Sequence, residues 1–344
     1  MSNQALLEKA KEKLGKPLKC AMPFEKAYIF SKGYVYNCCP ALINLYAIGN
    51  IFEQEFDEIW NGEKARKIRQ SILDGKFEYC SLDNCVFNLD KDEKFLFDYS
   101  LYQSDIAPLP KHFELNIDKT CNARCIMCRD KKEYCLEDVK NFENIIDSKI
   151  IPILKNAETV YLNGAGEVFA SKLCKDLIKK ITQTYPKIRF ELITNGILAT
   201  EENIKELGLK GRLKSVEVSI HAVTKETYDK IVRGGDFDAV MKNLKNIAKM
   251  KSENEIEYVQ ATFVVSSINY KEMIDFQKMA NDLGIAASFW EYRKYGTAEM
   301  DNNYEEIAVF EPYHPEHAEF LKIVQNDIFK SRNCDMGNKI RPID

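Results

Sequence analysis

Leu115-Asn116-Ile117-Asp118-Lys119-Thr120-Cys121-Asn122-Ala123-Arg124-Cys125-Ile126-Met127-Cys128 is a strand-like run that passes directly into a loop carrying Cys-x3-Cys-x2-Cys. Thiolates this close can wrap one compact cofactor, and thiolates are the ligands that iron–sulfur clusters need. Three ligands around a four-iron cubane leave one iron open, as a catalytic zinc site keeps one open position. The competing reading is a zinc knuckle completed by Cys135 or a histidine. The loop's place, just past the end of a strand, favours an active site, because (β/α) barrels carry theirs at the C-terminal strand ends.

Outward from this loop, strand and helix patterns alternate. Strands are expected at 113–117, 159–162, 190–193, 215–220, 258–265 and 287–291, with helices near 136–154, 170–184, 200–207, 223–250 and 270–283. Six strands alternating with helices imply an α/β fold: a parallel sheet with right-handed crossovers, curved into a partial (β/α)6, TIM-like barrel.

The chain has 344 residues, 45% of them hydrophobic, and a net charge of -4 with mixed signs throughout. A large core is possible, and no basic footprint for nucleic acid or a membrane surface is present. The first 18 residues read as a short amphipathic helix without the apolar core of a secretory signal. A cytoplasmic setting is expected. Eleven cysteines in that setting point to metal or redox chemistry rather than disulfides.

Residues 19–100 form a separate compositional unit, read as a small α+β module. Ala27–Phe30 and Tyr34–Tyr36 read as a hairpin about Ser31-Lys32-Gly33. Glu63–Leu73 reads as a helix with Ala65, Ile68 and Ile72 on one face and Gly75 as its stop. Residues 98–110 read as a linker. Cys20 and Cys38 bracket the hairpin, and Cys80 and Cys85 follow the helix, so these four can close a thiolate site for zinc or a cluster. Cys39 is expected to pack, and Cys174 to sit in the core. Cys334 is read as inert, as a further ligand, or as a hydrogen-atom donor, in that order. His314 and His317 are expected on the surface.

The cysteine loop after a first strand resembles the radical S-adenosylmethionine (SAM) superfamily, and the later strands resemble it in order. Asn163-Gly164-Ala165-Gly166-Glu167 is similar to the family's Gly-Gly-Glu motif, which holds the SAM amino group, with Ala165 between the glycines and Val168 where proline is common. Ile193-Thr194-Asn195-Gly196 resembles the third-strand motif beside SAM. Val216 to His221 and Tyr228 to Gly235 resemble the fourth strand and its helix. The resemblance, which covers 112–295, implies SAM contacts from Met127, Gly164, Gly166, Glu167, Thr194, Asn195, Ser219, Arg233 and Val265. It also implies a SAM-binding [4Fe-4S] cluster on Cys121, Cys125 and Cys128.

Cys20-Ala21-Met22-Pro23, Cys38-Cys39-Pro40, Ile48-Gly49-Asn50-Ile51, Phe56 to Gly62 and Arg69 resemble a SPASM or twitch module, placed here before the barrel. That implies one auxiliary [4Fe-4S] cluster on Cys20, Cys38, Cys80 and Cys85. The implied function is reductive cleavage of SAM to a 5′-deoxyadenosyl radical that abstracts hydrogen from a substrate. A small polar molecule such as a sugar or cyclitol is expected, for oxidation or epimerisation, because no separate leader-peptide-binding domain precedes the module. Modification of a peptide or protein side chain is the alternative, and a non-catalytic electron carrier is disfavoured. Candidate substrate contacts are His221, Ser266, Glu291, Tyr292 and Arg293. A flavodoxin- or ferredoxin-like reductant is the implied partner, with no nucleic acid and no membrane. Residues 296–344 read as a C-terminal extension.

Overall fold

The computed structural model describes residues 3–14, 20–40, 46–82, 85, 102–128, 136–162, 166–294, 296 and 298–337. Its strands are β1 (Lys26–Phe30), β2 (Tyr34–Tyr36), β3 (Gly49–Asn50), β4 (His112–Asn116), β5 (Arg124–Cys125), β6 (Thr159–Leu162), β7 (Arg189–Thr194), β8 (Leu213–Ser219), β9 (Val232–Arg233), β10 (Ile256–Val265), β11 (Ala286–Glu291) and β12 (Cys334–Asp335). The chain divides into two compact units, residues 1–117 with 136–161 and residues 118–135 with 162–344.

In the first unit the strand order is β6-β4-β1-β2-β3. The expected hairpin is present, with Tyr28 opposite Tyr36 and Ile29 opposite Val35. Lys32 and Gly33 turn it at φ 65° and 76°. A Cβ on Gly33 would lie 2.4 Å from Asn50 Oδ1, so only glycine fits. The hairpin is not a free-standing module: β1 pairs in parallel with β4 over Lys26–Phe30 and His112–Asn116. Ala27, Ile29, Phe113 and Leu115 are buried on one face of this pair, each large side chain contributing about 1.5–3 kcal/mol.

The helix Glu63–Leu73 buries Ala65, Ile68 and Ile72, as its periodicity implies. It also buries Arg69, which lies 4.4 Å from the Trp60 ring. Arg69 donates to the Pro23, Asn61 and Asp105 oxygens. The stretch 102–110, expected as a linker, is packed instead. Tyr102 stacks on Phe24 at 4.7 Å, and the Pro108 carbonyl accepts from Trp60 Nε1 at 2.7 Å. Buried indole and guanidinium donors need acceptors, and this stretch supplies two of them, the Pro108 and Asp105 carbonyls.

In the second unit the order is β12-β11-β10-β8-β7, with parallel pairing throughout. The helix Lys172–Thr184 precedes β7, and the helices Glu201–Glu206, Phe237–Ser252 and Met273–Asp282 separate β7, β8, β10 and β11 in sequence. The architecture is mixed α/β with a mostly parallel sheet, that of a partial TIM-like barrel with a small N-terminal module. Side chains alternate: Phe263 packs on Phe276 and Phe289, while Glu217 and Thr262 meet on the opposite face at 2.6 Å.

The structure differs from two expectations. The helix expected over 223–250 is broken into Lys225–Ile231 and Phe237–Ser252. Gly234 adopts φ 70°, and Val232–Arg233 leaves the helix to pair with Arg124–Cys125. The second concerns His314, expected on the surface. It is 6% exposed, bonded to the Glu306 carbonyl and the Glu316 amide. No described helix is long and apolar enough to cross a membrane.

Candidate active site

The cysteine loop is built on a buried aspartate. Asp118 Oδ1 accepts from the Thr120 amide and hydroxyl at 2.9 and 2.8 Å, and Oδ2 accepts from Ser171 at 2.5 Å. Ser171 in turn caps the helix Lys172–Thr184. The loop's next turn is held by the two-residue ladder that sets Arg124 opposite Arg233 and Cys125 opposite Val232. Ile126 donates to the Ile231 carbonyl at 2.9 Å and accepts from the Met300 amide at 3.1 Å.

Cys121 and Cys128 are exposed and Cys125 is half-buried. Burial pushes the Cys125 thiol up to about 12, and the Cys128 and Cys121 sulfurs push it the same way, so the three lie together. Burial also raises Cys121, against hydrogen bonds from Ala123 and Asn195.

Glu167 is 2% exposed. Its carboxylate accepts from Thr194 Oγ1 at 2.7 Å, the Asn195 amide at 2.6 Å and the Phe169 amide at 3.2 Å. Its own amide donates to the Thr120 carbonyl at 2.7 Å. Burial raises its pKa above the usual 4.5, with those hydrogen bonds opposing. Among the described residues no cation pairs with this buried carboxylate, which suits it to receive one. Gly166 makes the approach possible: a Cβ there would lie 2.4 Å from the Thr120 carbonyl oxygen and 2.7 Å from the Lys119 carbonyl carbon.

Ser219 ends β8 on the same face as Glu217. Arg233 forms a two-pronged pair with Glu299 at 2.5 and 2.6 Å, both side chains more than half exposed. Met127 is buried, and Val265 is fully buried on the face shared with Phe263, while Val264 lies on the opposite, part-exposed face. Gly164 and Cys135 lie outside the described residues.

Several expected substrate contacts are committed elsewhere. The Tyr292 hydroxyl donates to Asp301 at 2.6 Å in a buried pair. Ser266 is fully buried and donates to Asn269. His221 is buried at φ 66° and its Nδ1 accepts from the Val264 amide at 3.1 Å. Burial lowers its pKa to about 4, so it is neutral. Glu291 is buried, with Oε2 unpartnered among the described residues, and Oε1 lies 3.4 Å from the exposed Arg293. Cys334 sits half-buried in β12, opposite Ala287. Cys174 is buried, as expected.

In the first unit, Cys20, Cys80 and Cys85 lie near enough to the buried Cys38 for their charges to act on its thiol. Each adds to the burial that holds the Cys38 thiol well above its usual value, and Cys39 adds less. Cys20 and Cys80 are pushed up to about 12 for the same reason. Met22, Cys39 and Cys85 pack on Cys38. Among the described residues no group of three or more His, Cys, Asp or Glu is arranged to hold a single metal ion; a multi-iron cluster asks for a wider cage of thiols. The all-sulfur donor sets fit such clusters, whose iron would replace the thiol protons.

A three-thiol loop tied to a buried carboxylate, on a mostly parallel sheet, offers the donors of an iron–sulfur site in an α/β fold. Residues 115–280 match the radical SAM superfamily, and residues 20–86 match the SPASM iron–sulfur cluster-binding domain. The chain thus carries a radical SAM domain preceded by a SPASM-type module. Its cofactors are a SAM-binding [4Fe-4S] cluster, SAM and an auxiliary [4Fe-4S] cluster.

Among curated relatives, a GTP 3′,8-cyclase of Peptoclostridium acidaminophilum is 23% identical over 189 residues, 54% of this chain and 56% of that one. One of Clostridium botulinum is 26% identical over 194 residues, 54% of this chain and 57% of its own. The chain thus spans a little over half the length of these relatives. Solved structures to which the chain is similar include anSMEcpe with bound AdoMet, at 16% identity, TM-score 0.42 and coverage of 65% and 63%. BtrN with AdoMet and 2-DOIA follows at 15% identity, TM-score 0.31 and coverage of 65% and 86%.

Proposed function

We propose that this chain binds SAM across Glu167, Thr194, Asn195, Ser219 and Arg233, beside a cluster held by Cys121, Cys125 and Cys128. One observation carries the reading: the Glu167 carboxylate is fixed by Thr194 and Asn195, and its backbone is bonded to the cysteine loop at Thr120. That arrangement suits an ammonium on Glu167, while the Arg233 fork suits a carboxylate. When bound, the cluster and SAM supply a 5′-deoxyadenosyl radical that takes a hydrogen atom from substrate. The protein's own residues orient SAM, keep its ammonium on a buried anion and keep water away.

Cys20, Cys38, Cys80 and Cys85 are the proposed auxiliary ligands. A flavodoxin- or ferredoxin-like protein is the proposed reductant, and the many free thiols suit a reducing, cytoplasmic compartment. The named relatives are GTP 3′,8-cyclases, which turns the reading away from a sugar or cyclitol substrate. The substrate is proposed only as an organic molecule with an abstractable C–H bond. Anaerobic reaction with SAM, reductant and deuterated candidates tests this. Deuterium appearing in 5′-deoxyadenosine supports the reading; no SAM cleavage by a chain carrying its full iron content sinks it.

A further inference from the structure

The Asn195 side chain lies 3.7 Å from Cys121 Sγ through Nδ2 and 2.8 Å from Asn122 Oδ1 through the same atom. Which end of an amide faces a partner is set by its other bonds. Here Asn195 Oδ1 accepts from the Ile197 amide at 3.0 Å, so the donor end faces the sulfur. The turn itself is fixed. Gly196 sits at φ 79°, where a Cβ would meet Val218 at 2.8 Å. The buried Asn243 amide donates to the Gly196 and Ile197 carbonyls at 2.8 and 3.0 Å. The backbone amide of Asn195 donates to Glu167. One residue therefore touches both the proposed ammonium carboxylate and a proposed cluster ligand.

We propose that Asn195 is a positioning residue that donates to the Cys121 sulfur and raises the reduction potential of the SAM-binding cluster, an inference that rests on the proposed function. An N–H bond to a ligating thiolate withdraws charge from the sulfur and stabilises the reduced state. Because the same residue's backbone holds Glu167, a ligand on Glu167 shifts that donor and with it the potential.

The test is an EPR-monitored redox titration of the holoenzyme, with and without SAM. Asn195→Leu removes the donor, and the near-isosteric Asn195→Asp replaces it with a negative charge. Both should lower the midpoint, Asp further, with the reduced-to-oxidised ratio falling about tenfold, or 59 mV for one electron. The auxiliary cluster's midpoint should stay put. Asn122→Ala, which leaves Nδ2 to the sulfur alone, should raise the midpoint. Parental midpoints in the Asn195 variants at full iron content would overturn the proposal. If those variants fail to load iron, an unchanged midpoint in Asn122→Ala overturns it. A parent cluster whose EPR signal ignores SAM would instead sink the proposed function.

Discussion

Glu167 concentrates the chemistry of the site into one titratable group. Burial raises its pKa and three hydrogen bonds lower it, with burial the larger effect. A carboxyl whose folded pKa is raised stabilises the fold while it is protonated, and that contribution is lost as pH rises through the folded value. At neutral pH the ionised group therefore costs stability, and a bound ammonium offsets the cost. SAM affinity should fall as pH drops through this raised pKa, and SAM should raise the thermal midpoint more at neutral pH than in acid; equilibrium dialysis and calorimetry measure both. Glu299 acts on the other end of the proposed ligand. Its carboxylate occupies the Arg233 fork that would take the SAM carboxylate. Glu299→Gln should tighten SAM binding about two- to fivefold, the range of an exposed ion pair; weaker binding would show that Glu299 orients Arg233 instead.

At the scale of elements, the site depends on backbones that approach closely. Gly166→Ala would place a Cβ within 3 Å of backbone atoms of Asp118, Lys119 and Thr120. Backbone cannot swing aside as a side chain can, so the cysteine loop must shift. SAM binding should weaken at least about tenfold, upward of about 1.4 kcal/mol, with slower cluster reconstitution. Unchanged binding would show that the two loops act independently. Gly235→Ala would meet the buried Tyr228 ring at 2.7 Å and strain the ladder of Arg124–Cys125 with Val232–Arg233. Lower stability together with weaker SAM binding is expected, read by calorimetry and dialysis on the same sample.

At the scale of the whole molecule, the chain carries two thiol sets in which burial raises Cys20, Cys38, Cys80, Cys121 and Cys125 and so favours their protonated form in the metal-free protein. Cys20, Cys80 and Cys125 are each pushed up to about 12. Loading iron must expel those protons, so reconstitution should weaken as pH falls, with protons released on loading. Iron analysis of the loaded chain should give about eight irons, from two four-iron clusters. One zinc with about four irons would make the N-terminal site structural zinc. Cys80→Ala should keep the SAM-binding cluster and SAM affinity while losing the auxiliary cluster. If the reaction is an oxidation, it should also lose oxidised product, and parental product yield from a folded variant would favour a redox-neutral reaction.

The local patterns were legible in the chain itself. Cys-x3-Cys-x2-Cys after a strand, Glu167 after Gly166, and Ala65, Ile68 and Ile72 at helical spacing are set by short-range periodicity and chemistry, which a linear sequence carries in full. What needed tertiary structure was every partner distant along the chain. Asp118 looked like a loop residue until Ser171 met its carboxylate. Tyr292 looked available until its hydroxyl reached Asp301, and His221 until its ring accepted from Val264. The expected long helix over 223–250 failed because Val232 and Arg233 pair with the cysteine loop, and a bridge between segments about a hundred residues apart leaves no local periodicity. The parallel pairing of β1 with β4 was hidden likewise: parallel partners share no turn, so register is decided only when the buried faces of Ile29 and Leu115 come together.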